Sequence, residues 1–148
     1  MQKGTVKVME AKEYLKQLKL LNVKIDNKQK ELDDLRLMAQ STGGIDYSSE
    51  RVQTSLAKDS LEKKVIRYVC LEQEINEEID KYVDLKHKII NEIHTLTNPI
   101  YIEVLFMHYV EFKRLQEIAV EMNYSYQYVR ELHGHALQEF STTYTKLH

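Results

Sequence analysis

Apolar residues recur in steps of three and four through the first segment: Tyr14, Leu18, Leu21, Ile25, Leu32, Leu35 and Ala39, with Lys28 as the polar interruption. This heptad spacing keeps one face of a helix apolar and predicts a helix from Val8 to Gln40, roughly 50 Å long at 1.5 Å per residue. Leu15, Leu20 and Leu37 widen the stripe. The pattern returns from Ser55 to Leu96 through Leu61, Val65, Tyr68, Ile75, Ile79, Tyr82, Ile89, Ile93 and Leu96. Glu72 and Lys86 sit in that seam, and Val69, Val83 and Ile90 flank it. Between the two, Gly43-Gly44 among serines and Asp46 predicts a flexible connection over 41–54. Residues 1–97 therefore read as a long antiparallel helical hairpin. Its apolar face is broader than a two-stranded seam requires, so further helices or a second chain are expected to dock on it.

Residues 98–148 have a shorter rhythm. Asn98-Pro99 is an N-cap followed by proline at the first helical position, where the missing N–H costs nothing. Ile102, Leu105, Phe106 and Tyr109 mark a helix ending near Val110, and a second helix is expected from Arg114 to Met122. Asn123-Tyr124-Ser125 reads as a tight turn, with Ser125 capping a third helix that runs to about Phe140. The tail 141–148 is rich in Ser and Thr, poor helix formers, and is expected to fray.

With 148 residues, one proline and four glycines, the chain suits an all-α fold rather than a turn-rich β-sandwich. A single cysteine, Cys70, excludes an internal disulfide and is expected to be a small buried residue. No membrane-spanning or signal-like stretch is present, which points to the cytoplasm. Residues 1–40 carry nine Lys/Arg against six Asp/Glu, whereas residues 98–148 carry four against six. That distribution is less basic than a dedicated electrostatic nucleic-acid binder would show.

The last segment meets the demands of a helix-turn-helix. Ala119 stands where two helices would cross, and Asn123 follows four residues later, where the chain needs φ > 0. Ile118, Met122, Tyr124, Val129 and Leu132 take the positions that must be buried. His133 and His135, two apart on a helix, point in different directions and make a poor metal pair. No phosphate loop, nucleophile motif or catalytic carboxylate pair is present, so neither an enzyme nor a bound cofactor is expected.

The order Glu117-Ile118-Ala119, Met122-Asn123-Tyr124-Ser125, Val129-Arg130, Leu132 and Ala136-Leu137 resembles region 4 of bacterial sigma-70 factors, the module that reads the −35 promoter element. With Arg51-Val52-Gln53-Thr54-Ser55 and Glu74-Ile75-Asn76-Glu77-Glu78-Ile79-Asp80, the whole chain resembles small phage and prophage proteins that join a helical hairpin to a sigma-region-4-like end. The resemblance implies a late transcriptional regulator of a bacterial host, with double-stranded DNA and RNA polymerase as partners. It implies DNA contacts from Ser125, Tyr126, Gln127, Tyr128, Arg130 and Glu131 on the third helix and from Lys113 and Arg114 ahead of the second. Gln127 suits adenine and Arg130 suits guanine or a phosphate; Tyr126 and Tyr128 suit phosphates or thymine methyls, and Glu131 tolerates only a donor such as cytosine. Packing within the fold would also explain the tyrosines, and an ion pair with Glu131 or Glu121 would also explain Arg130.

Three functional readings stay open. A regulator would use the hairpin to dimerise or to contact polymerase, and a homodimer would present recognition helices roughly 34–36 Å apart. A small-terminase-like packaging component would form a ring. A protein-interaction module would bind polymerase or a sigma factor without touching bases.

Overall fold

The computed structural model describes the backbone of residues 2–41 and 54–147, and side chains within 4–40 and 59–147. Among these residues the chain is all-α, with α1 (Gln2–Ser41), α2 (Thr54–Ile93), α3 (Pro99–Leu105), α4 (Leu115–Met122) and α5 (Tyr126–Leu147). A π-helical stretch at Phe106–Val110 continues α3. Positions 42–53 of the expected connection lie outside the described residues. α1 and α2 span 40 residues each. They run antiparallel: Lys28 meets Glu74 at 3.4 Å, and Glu31, further along α1, meets the earlier Arg67 at 3.9 Å.

The chain divides into two compact units, one of Met1–Leu21 with Tyr82–His148 and one of Asn22–Lys81. In the second, Leu32 packs on Leu71 and Ile75, with Leu35 and Tyr68 partly covered beside them. In the first, Ala11, Tyr14, Leu15 and Leu18 of α1 join Ile89, Ile93 and Leu96, then Leu105, Tyr109 and Val110, then Ala136, Leu137 and Phe140 of α5. Burial of this apolar surface is what seats the C-terminal helices on the paired ends of α1 and α2.

The expected stripes are covered unevenly. Of the three residues that widen the first, Leu15 is buried, whereas Leu20 and Leu37 are more than half exposed, and Ala39 is exposed too. On α2, Leu61, Val65, Val69 and Val83 are more than half exposed, and Ile79 also lies open. A helix with one partner covers one narrow stripe, so the expected seam residues Leu61, Val65 and Ile79 stay in solvent along with the flanking Val69 and Val83. Cys70, expected inside, is exposed for the same reason.

The local signals for the C-terminal helices hold. The Asn98 side chain accepts the Ile100 N–H at 3.0 Å, with Pro99 opening α3. Phe112 turns the chain at φ 61°, a left-handed conformation that costs an L-residue about 1–2 kcal/mol. Its ring packs against the larger core, and the Lys113 N–H bonds the Met107 carbonyl at 3.0 Å. The expectation of a fraying tail is corrected, because α5 continues to Leu147. Ser141, Thr142 and Thr145 hydroxyls bond the carbonyls of Gln138, Glu139 and Ser141 at 2.7, 2.7 and 2.8 Å. Ser141 is buried, and the Tyr144 ring sits 5.1 Å from that of Tyr14. Tertiary packing thus outweighs the weak helix propensity of the segment.

Candidate nucleic-acid interface

Arg114 is extended and opens α4, where the Glu117 carboxylate accepts its N–H at 2.7 Å. That bond, with the Arg114 guanidinium beside it, holds the Glu117 carboxyl below the usual range. The helix ends at Asn123, in the left-handed conformation with φ 57° and ψ 39°. The Asn123 N–H bonds the Val120 carbonyl at 3.3 Å and the Tyr124 N–H bonds the Ala119 carbonyl at 2.9 Å, the paired bonds of a Schellman ending. Ser125 Oγ then accepts the Tyr128 N–H at 3.1 Å and caps α5. Ile118 and Ala119 of α4 pack with Val129 and Leu132 of α5 over Val104 and Met107, a core that holds the two helices in a helix-turn-helix arrangement. A β-branched residue at Asn123 pays the left-handed penalty: Asn123→Val should lower stability by about 1–2 kcal/mol and Asn123→Gly should leave it nearly unchanged, read from urea midpoints.

Met122 is half-buried, and Tyr124, expected inside, is 38% exposed. Its ring stands edge-on to Tyr128, 5.1 Å between centroids, at the surface of the turn instead of between the helices. Tyr126, Gln127, Tyr128, Arg130 and Glu131 are all exposed on the first turns of α5. The Arg130 guanidinium lies 5.7 Å from the Tyr126 ring centre, in place of the ion pair with Glu131 or Glu121 that the sequence left open.

The two cations ahead of α4 are engaged by carboxylates. Lys113 Nζ lies 2.8 Å from Glu121 and 2.9 Å from Glu111, and these bonds raise its pKa, Glu121 most. Arg114 meets Glu117 at 3.3 Å. A phosphate at either place competes with a carboxylate already present.

Sequence spacing missed a half-buried histidine pair. His108 Nδ1 lies 2.8 Å from the Lys113 carbonyl, and the Tyr109 hydroxyl lies 2.9 Å from His133 Nε2. The two imidazole rings are 5.0 Å apart. Burial pushes the His133 pKa down to about 4, with help from His108 and Lys12; burial also lowers that of His108 and raises that of Tyr109. His133 and His108 stand 25 residues apart in sequence and on different elements, so only the tertiary contact reveals them. Among the described residues no cluster of three or more His, Cys, Asp or Glu side chains is placed to hold a metal ion. No described helix is long and apolar enough to cross a membrane. Comparison with protein-family models, curated proteins and solved structures finds no match, so any functional reading rests on these residues and their geometry.

Proposed function

We propose that this protein is a DNA-binding transcriptional regulator of phage type, with α5 as the recognition helix. The observation that carries the reading is the exposed face of Gln127 and Arg130 on a helix whose start is set by the Schellman turn and the Ser125 cap. Gly134 supports it: a Cβ there would meet no protein atom within 4 Å, so nothing inside the fold requires a glycine in mid-helix. A glycine at such a place costs roughly 0.5–1 kcal/mol relative to alanine, and it leaves room for a close ligand on that stretch of α5. The likeness of residues 117–137 to sigma region 4 points the same way. The hairpin then serves self-association or polymerase contact, to which the exposed Leu61, Val65 and Val69 of α2 are suited.

The test is selection from fragmented phage and host DNA with the purified protein. Wild type should enrich one discrete site, and Gln127→Ala with Arg130→Ala should lose it, at about 1–3 kcal/mol for each base contact removed. Equal, unenriched retention of both proteins rejects base reading.

A second reading is favoured by one observation. Val120 is 79% exposed on α4, among Gln116, Glu117 and Glu121. An exposed apolar residue suits a protein partner, and a module that engages polymerase without reading bases would use it. Co-purification of polymerase without DNA enrichment, abolished by Val120→Asp, selects that reading.

A further inference from the structure

The positive excess of the chain lies in residues 1–40 and not in the segment that holds α4 and α5. Three of those cations, Lys12, Lys16 and Lys19, belong to the compact unit that contains α4 and α5. They follow at steps of four and three along α1, which places them on one helix face. That face borders the buried row of Ala11, Leu15 and Leu18, whose cluster includes Tyr109, Val110 and Ala136. The lysines therefore flank the stretch of α1 whose buried residues share a core with Tyr109 and Val110, just ahead of α4. All three charges act on His108, whose Nδ1 is 2.8 Å from the Lys113 carbonyl just before α4. Lys12 also acts on His133, three residues along α5 from Arg130.

Their availability differs from that of the cations nearer the turn. Lys113 and Arg114 are engaged by Glu111, Glu121 and Glu117. Lys16 meets Glu13 at 2.8 Å, but Lys12 and Lys19 have no ion pair among the described residues. Lys19 is exposed and Lys12 half-buried. Phosphate contacts supply most of the affinity of a DNA-binding protein and base contacts its choice of site. A module with so few uncommitted cations at its reading helix needs them from elsewhere.

We infer that Lys12 and Lys19, on either side of the Glu13-paired Lys16, form a phosphate-contacting row that extends the α4–α5 interface onto α1, so that the duplex backbone beside the bases read by α5 passes along the first helix. The row spans roughly 10 Å, the axial rise of about three nucleotides of one strand. This inference rests on the proposed reading of α4–α5 as a DNA-binding element.

The experiment is fluorescence-anisotropy titration of the full chain with the selected duplex and with a random duplex, between 50 and 200 mM salt. Lys12→Gln with Lys19→Gln should weaken both complexes, roughly tenfold, and flatten the log-affinity against log-salt slope by about two, without changing site preference. Lys19→Gln alone, at an exposed position, should flatten it by about one, and it carries the test if the double variant fails to fold. Lys24→Gln, exposed on the part of α1 in the other unit, should leave the slope unchanged. A wild-type slope in the Lys12/Lys19 variants, with site preference lost in the Arg130→Ala protein, overturns the row and leaves base reading intact. A flattened slope on random duplex with no site ever selected supports the row and rejects base reading. No binding to either duplex overturns both.

Discussion

Phe140→Ala should lower unfolding stability by about 3–5 kcal/mol, the cost of deleting a fully buried aromatic ring and leaving a cavity. Phe140 has no exposed surface, and its cluster gathers residues from α1, α2, the π-helical stretch and α5. It therefore ties α5 to the paired ends of α1 and α2. A domain of this size has a total stability of about 5–15 kcal/mol, so the loss is a large part of the whole. Urea denaturation followed by circular dichroism should show a much lower midpoint. Phe140→Leu, which retains most of the apolar volume, should cost far less, and Val120→Ala, at a side chain left in solvent, should stay within about 0.5 kcal/mol. Equal midpoints for Phe140→Ala and Val120→Ala would mean that α5 is not anchored through this ring.

Acid should weaken the same unit through His133. Its pKa falls from the ordinary 6.5 to about 4, mainly because burial disfavours the charged ring, with His108 and Lys12 adding repulsion. His133 Nε2 lies 2.9 Å from the Tyr109 hydroxyl, and a neutral ring can accept there whereas a protonated ring can only donate. Between those two pKa values the unfolded chain binds the proton and the folded one does not. Stability is therefore fully present above pH 6.5 and declines as the pH falls towards 4. The contribution lost at pH 5 is about 2 kcal/mol. His108, also lowered, adds in the same direction. Urea midpoints measured from pH 7.5 to 4.5 should fall more steeply for wild type than for His133→Gln. Parallel profiles would show that His133 is protonated as readily in the folded protein as in the unfolded chain.

The features readable in the sequence are those fixed by short-range chemistry. Asn98 and Ser125 accept backbone N–H groups of residues two and three positions on, so their caps need no distant partner. Asn123 adopts the left-handed conformation because a neighbouring turn demands it, and the steps of three and four in the apolar residues predict α1 and α2 directly. The place of Tyr124 is not legible in the sequence, because an aromatic side chain at a turn can either insert between helices or stack on a surface ring, and spacing does not distinguish the two. The continuation of α5 past Phe140 was hidden because Ser141, Thr142 and Thr143 are poor helix formers until packing against α1 outweighs them.

At the candidate interface the exposure of Gln127, Tyr128 and Arg130 follows from their place on an amphipathic helix, which local pattern conveys. Which cations remain available there depends on where Glu111 and Glu121 fall around Lys113, and that is a matter of chain path.

By itself the sequence determined the all-α class, the two long helices, the turn at Asn123 and the order of the C-terminal helices, because periodicity, capping and backbone sterics act over a few residues. Only the tertiary structure decided which apolar stripe is covered, that His108 meets His133, and that Ala11, Leu15 and Leu18 of α1 share a core with the π-helical stretch ahead of α4. Those outcomes depend on which surfaces far apart in the chain exclude water from one another, and no local pattern encodes that choice.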